Sequence, residues 1–172
     1  SMNNLISLQK DVALLSFDGA MLSSAFTGSG KSLMSGDIVA PTMPSAGEDV
    51  VLLDRAYSIV TWVDVRTGKF REQYHADGDE LGKNPWDYLP VSPEKAYVTR
   101  YDRWPGNSRH GDMIVVNPKT ASITAPVEKR IDLAKWIALP SKDYQVHPAR
   151  GIVVGDKAYV TTVNATLEYV YA

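Results

Sequence analysis

Cysteine is absent from the 172 residues of the chain. That excludes a disulfide scaffold and a thiolate metal centre, and leaves the cytosol, a periplasm and the cell exterior equally open. A net charge of either sign is nearly absent too. The 18 basic and 20 acidic residues leave −2, with the signs interspersed, so there is no electrostatic footprint for nucleic acid or an anionic membrane. No run reaches the roughly 18 apolar residues of a membrane-spanning helix. Helical pattern is scarce: only Leu133 to Leu139 predicts a short helical turn, which Pro140 ends. The length suits one domain with a substantial core. Ser1-Met2 reads as a cleavage scar, which leaves room for a signal peptide or longer upstream region removed beforehand.

What the chain has is strands. VVLLDR (50–55), SIVTWVDV (58–65), KAYVTRYD (95–102) and DMIVVNP (112–118) are rich in β-branched and aromatic residues. Two more follow, GIVVGDKAYVTTVN (151–164), broken at Gly155-Asp156, and TLEYVYA (166–172). Arg66-Thr67-Gly68-Lys69 and Asn117-Pro118-Lys119-Thr120 have turn composition. The chain is predicted to be all-β.

It also repeats. KAYVT occurs at 95–99 and again at 157–161, an offset of 62 positions, with Pro85 and Pro148 ten and nine residues ahead. IVTWVDVRTGKF (59–70) matches DMIVVNPKTASI (112–123), each preceded by a strand. The offset exceeds the roughly 40–50 residues of a β-propeller blade, and the excess lies in RWPGNSRHG, 103–111. A unit of strand, turn, strand and extended linker, apolar on both faces, predicts small antiparallel sheets that stack on their neighbours as propeller blades. A β-sandwich, which also has short strands at this spacing, is the alternative.

NPWDYLPVSPEKAYVTRYD and HPARGIVVGDKAYVTTVN resemble the YVTN-type propeller repeat, in which a Pro-containing lead-in, an apolar strand, a Ser-Pro-Asp or Gly-Asp turn and a Tyr-Val-Thr-Asn-like strand follow each other. VDVRTGKF and VNPKTASI resemble that family's next hairpin. The resemblance covers residues 48–172 and extends less fully over 12–47. It departs at Arg100 and Thr162, which hold the usual Asn position, and at the interruption 103–111. It implies one propeller-like domain over 1–172, with a degenerate first unit at 12–47, a blade hairpin at 48–74, a blade with an insertion at 84–130 and a partial last blade at 147–172. Because the family includes surface-layer, periplasmic and extracellular binding proteins together with relatives of quinoprotein and nitrous-oxide-reductase propellers, the resemblance implies a fold more firmly than an activity.

AFTGSGKS (25–32), with Lys31, and an apolar strand ending at Asp54 imitate a nucleotide-binding phosphate loop and its metal-holding carboxylate. The imitation fails because such a loop must open a helix, and Gly36, Pro41, Pro44 and Gly47 occupy the place where that helix would run. His75, His110 and His147 have no ligand spacing and read as loop histidines in different units. Asp77, Asp79 and Glu80, beside Gly78, are the weak candidates for a hard cation, without the full calcium-loop pattern, since Tyr88 stands at the twelfth position. No convergent catalytic set and no cofactor motif is found. The interruption brings Arg103, Trp104, Asn107, Arg109 and His110 onto a loop the repeat does not need, and Trp and Arg are frequent binding anchors.

The sequence therefore predicts a non-catalytic binding or scaffolding module of three to four blades, periplasmic, cell-surface or extracellular, with a protein or small-ligand partner at that loop and no cofactor. The alternative is an enzyme or electron-transfer domain using a metal or quinone cofactor. With fewer than four comfortable blades, the ring is expected to close through self-association of the terminal units as a homodimer, including Val170 and Tyr171; the alternatives are a piece of a longer propeller and a monomer in which residues 5–24 supply the strand beside 166–172.

Overall fold

In a computed structural model of the chain, the structure describes residues 37–44, 49–66, 70–77, 84–101 and 111–166, together with the backbone of strands at 4–8, 11–15 and 21–23. These residues form three antiparallel sheets and a separate hairpin. Strands β1 (Asn4–Leu8), β2 (Asp11–Leu15) and β3 (Met21–Ser23) make a three-stranded sheet in chain order. Strands β4 (Ile38–Val39), β5 (Asp49–Asp54), β6 (Ile59–Asp64) and β7 (Phe70–His75) make a four-stranded meander. A second meander follows, of β8 (Pro85–Ser92), β9 (Lys95–Arg100), β10 (Asp112–Val116) and β11 (Lys129–Ile131). The hairpin is β12 (Gln145–Val154) with β13 (Lys157–Ala165). The expected helical turn is a 3-10 turn at Leu133–Lys135, capped by the Asp132 carboxylate, which accepts from the Ala134 N–H.

The apolar runs of β5 and β6 are continuous because both faces of their sheet are covered. Val51, Leu53, Val60 and Trp62 point one way, into a core shared with Tyr88, Val98, Ile114 and Val116 of the second meander. Leu52 and Val63 point the other way and join Ile38 in a second cluster. Each such fully buried aliphatic side chain contributes about 1.5–3 kcal/mol. At the centre of the shared core the Trp62 indole N–H donates to the Tyr88 hydroxyl at 3.3 Å, the rings meeting edge to face with centroids 6.0 Å apart.

The second meander is the middle layer. Along β9 the residues alternate: Ala96 and Val98 enter the core shared with β4–β7, while the Thr99 hydroxyl faces the hairpin and donates to the Ala149 carbonyl at 2.8 Å. Asp87 of β8, fully buried, binds this side together. Its carboxylate accepts the N–H of Gly151 at 2.9 Å, of Thr42 at 2.8 Å and of Tyr88 at 3.0 Å. Gly151 is required here by space, since a Cβ would stand 2.9 Å from Leu89 Cδ1 and 2.8 Å from the Tyr159 carbonyl oxygen.

The two KAYVT copies pair alike with the strand before them. Leu89 is opposite Tyr97 in one copy and Ile152 opposite Tyr159 in the other. The Asn117 turn forms as composition predicts, with the Lys119 N–H bonded to Asn117 Oδ1 at 3.0 Å. The segment TLEYVYA lies, apart from Thr166, outside the described residues, as do 24–36 with the phosphate-loop imitation.

Candidate functional site

Six of the buried polar side chains among the described residues gather at one end of the stacked sheets. There β5 ends, β6 begins and β7 ends, with Asp54 opposite Ile59 and Ile59 opposite His75. In the next sheet Pro85, Arg100 and Asp112 stand in a row. Three bonds show that these are the same end: Arg100 Nη1 donates to the Ala76 carbonyl at 2.6 Å, the Gly111 N–H to the Val146 carbonyl at 2.8 Å, and His147 Nδ1 lies 2.6 Å from the Tyr101 carbonyl. A carbonyl oxygen only accepts, so His147 Nδ1 carries the proton. Asp54, Ser58, Arg100, Asp112, Gln145 and His147 are all buried here.

Two arrangements hold this end together. The first is ionic: Arg100 grips Asp112 with two parallel bonds of 2.6 Å, and Arg130 of β11 adds a third at 2.9 Å to the same carboxylate. The second is a ladder of flat groups across the three layers. Arg55 lies over the Trp86 ring at 4.7 Å, Trp86 stacks on Tyr101 at 4.6 Å, and Tyr101 stacks on His147 at 4.6 Å. Asp37 holds the Arg55 guanidinium from the β4 side. Both faces of Tyr101 are thus occupied, and the ladder joins the three layers at this end.

From this end leave the two connections that the sequence singles out. Asp77, with its side chain 13% exposed and its carboxylate 3.9 Å from His75 Nδ1, and Asn84, in the left-handed region at φ 48°, flank residues 78–83. Asp79 and Glu80 lie outside the described residues. Tyr101 and Gly111 flank 102–110, so Arg103, Trp104, Asn107, Arg109 and His110 also lie outside them. Gly111 is fixed by close approach: a Cβ would meet the Arg100 carbonyl oxygen at 2.3 Å. The chain therefore returns from the interruption through a point that admits no side chain.

The remaining candidates fall into place as follows. Asp54 Oδ1 accepts the Tyr57 N–H at 2.9 Å, capping the β5–β6 turn. His75 and His147 are strand residues rather than loop residues. Among the described residues no group of three or more His, Cys, Asp and Glu side chains could hold a metal ion. Sequence reasoning missed the Arg100–Asp112–Arg130 set and the ladder. One signal was present, the departure from the repeat at Arg100: a cation in a buried strand position needs a carboxylate across the sheet.

Burial also shifts two phenols on the shared core. It pushes the ionisation of Tyr74 up to about 12 and raises that of Tyr88, against the lowering effect of the bond from Trp62. Both are packing residues and stay neutral at physiological pH.

No family model matches the chain, and no curated protein matches it. No helix among the described residues is long and apolar enough to cross a membrane.

Proposed function

We propose that the chain is a non-catalytic binding or scaffolding module built of β-propeller blades, working in the cell envelope or outside the cell. The supporting observation is the stacking of two four-stranded meanders and a hairpin, each in chain order, with both unusual connections leaving from one polar end. In a propeller, neighbouring blades stack in this way and their loops share one face. The partner, a protein or a small ligand, is engaged by the interruption, with Trp104 and Arg109 as anchors, and the terminal units associate with another copy.

The test uses the full chain, immobilised and exposed to cell-envelope proteins and glycans. Components retained by the natural chain and released by Trp104→Ala/Arg109→Ala, at an unchanged thermal midpoint, support the proposal. Identical retention removes the loop from the binding surface. Stoichiometric copper or a bound chromophore in the purified protein overturns the non-catalytic reading in favour of an electron-transfer or enzymatic one.

A further inference from the structure

A strand at the edge of a sheet carries a row of unpaired backbone groups, and natural sheets guard such edges with short length, charge, proline or a bulge. The edges of the two meanders are guarded in these ways. β4 has two residues, and β11 has three, including Lys129 and Arg130. β7 carries Arg71 and Glu72, and β8 carries Pro85 and Pro90. In the hairpin, the free side of β12 is satisfied by side chains: the Gly151 N–H donates to Asp87 at 2.9 Å and the Val153 N–H to the Met43 sulfur at 3.1 Å. β13 has none of these devices. It runs for nine residues without proline, its one charge is Lys157 in the first position, and among the described residues no strand pairs with its outer edge.

Residues directly opposite each other in an antiparallel ladder turn their backbone groups the same way, both towards the partner strand or both away. Gly151 is opposite Val160 and Val153 is opposite Ala158, so Ala158 and Val160 direct their N–H and C=O groups outward, as Gly151 and Val153 do. The first copy of KAYVT shows what such an edge accepts. There Ala96 and Val98, at the same places in the motif, are opposite Val116 and Ile114 of β10, with Val115 opposite Tyr97 and Met113 opposite Thr99. The covering strand is antiparallel and apolar along this stretch, and β-branched at Ile114, Val115 and Val116. Asp112 completes it as the partner of Arg100; Thr162 holds that place in β13 and calls for no carboxylate. We propose that the outer edge of β13 takes an extended apolar segment of a partner protein as an antiparallel third strand, by the pairing that β10 makes with β9. This rests on the binding reading above and names the partner's chemistry, without using the interruption. Main-chain bonds at Ala158 and Val160 attach the segment, and the register sets its side chains beside the exposed Tyr159 and Thr161.

The probe is a synthetic peptide with the sequence of residues 111–117, GDMIVVN, blocked at both ends, added to the full chain and followed by amide NMR and hydrogen exchange. The Ala158 and Val160 amides are expected to shift saturably and to gain protection, while those of β7 and β11 stay unchanged. The same peptide with Ile114→Pro lacks the N–H that would face Val160 and is expected to bind at least tenfold more weakly. In the chain, Val160→Pro removes an outward N–H and no bond to β12, and is expected to weaken binding at least tenfold at an unchanged circular dichroism spectrum. Should that variant fail to fold, Ala158→Pro, at an exposed position, takes its place. No saturable change at β13 up to millimolar peptide overturns the proposal, as does binding that the proline peptide and the proline variant leave unaltered. A chain that is heavier than a monomer by light scattering, and becomes monomeric with the proline variant, gives the edge to a second copy and overturns it too. Retention of envelope components unaffected by Trp104→Ala/Arg109→Ala strikes the loop alone and leaves the peptide result on β13 standing.

Discussion

Arg100 and Asp112 stand directly opposite each other in the β9–β10 register, and the guanidinium donates two bonds of 2.6 Å to the carboxylate, the side chains being 1% and 8% exposed. A pair this deep is worth little against an apolar replacement of both partners, yet breaking it strands a charge in the core. Arg100→Met leaves Asp112 with Arg130 on its open side and removes the bond to the Ala76 carbonyl. The expected loss is about 3–5 kcal/mol, read as a lower urea midpoint. The double variant Arg100→Met/Asp112→Leu is expected to lose less than either single change. A double variant that loses the sum of the two would show that the pair is not coupled.

Gly151→Ala tests the seating of the hairpin on the middle sheet. The added Cβ meets Leu89 Cδ1 at 2.9 Å, which can shift, and the Tyr159 carbonyl oxygen at 2.8 Å, which is held in the β12–β13 ladder. Overpacking of this kind costs about 1–3 kcal/mol. Adding Leu89→Ala relieves only the first contact, so recovery should be partial. Full recovery on thermal unfolding would mean that the backbone contact is not limiting.

The strands and their turns were legible because alternation, β-branching and turn composition are local signals; VVLLD and IVTWVD pair as their pattern requires. The two KAYVT copies each form the second strand of an antiparallel pair, β8–β9 and β12–β13. Strand ends at proline were not legible. Pro85 and Pro148 read as lead-ins to a strand, whereas the structure begins β8 at Pro85 and carries it through Pro90, and carries β12 through Pro148. Both strands lie at the edge of their sheet, with register shifts at these prolines, where a missing N–H costs no ladder bond. The ladder Arg55–Trp86–Tyr101–His147 was out of reach for a different reason. Its members come from three layers, and a pattern within one strand says nothing of how the next sheet lies on it.

Asp87 joins three segments through one carboxylate, and Asp87→Asn separates charge and acceptor count from shape. The amide keeps one oxygen but turns an NH₂ towards an N–H that the carboxylate accepted, at Thr42 or at Gly151. A bond to a charged group contributes about 1.5–3 kcal/mol, and a loss of that size is expected. Hydrogen exchange locates it: the Thr42 and Gly151 amides should lose protection together, while Val98, paired within its own sheet, keeps its rank. Uniform loss across the chain would mean that Asp87 acts on global stability alone.

Tyr74 is expected to contribute to the alkaline unfolding of the chain. Its side chain is 3% exposed, its hydroxyl donates to the Pro126 carbonyl at 3.2 Å, and burial holds its ionisation at about 12 against 10.0 for an ordinary tyrosine. Below pH 10 the phenol is neutral in both the folded and unfolded chain, and its contribution is fully present. Between pH 10 and 12 the unfolded chain releases the proton and the folded chain does not, so stability falls with rising pH, by roughly 2–3 kcal/mol over the window. Tyr74→Phe keeps the ring and removes the titrating group. At neutral pH it should cost about 1 kcal/mol for the lost bond to Pro126, and above pH 10 its urea midpoint should fall less steeply than that of the natural chain. The slope that remains belongs in part to Tyr88, whose ionisation is also raised by burial, and Tyr74→Phe/Tyr88→Phe should flatten it further. Parallel curves for the natural chain and Tyr74→Phe between pH 10 and 12 would show that another group governs alkaline unfolding.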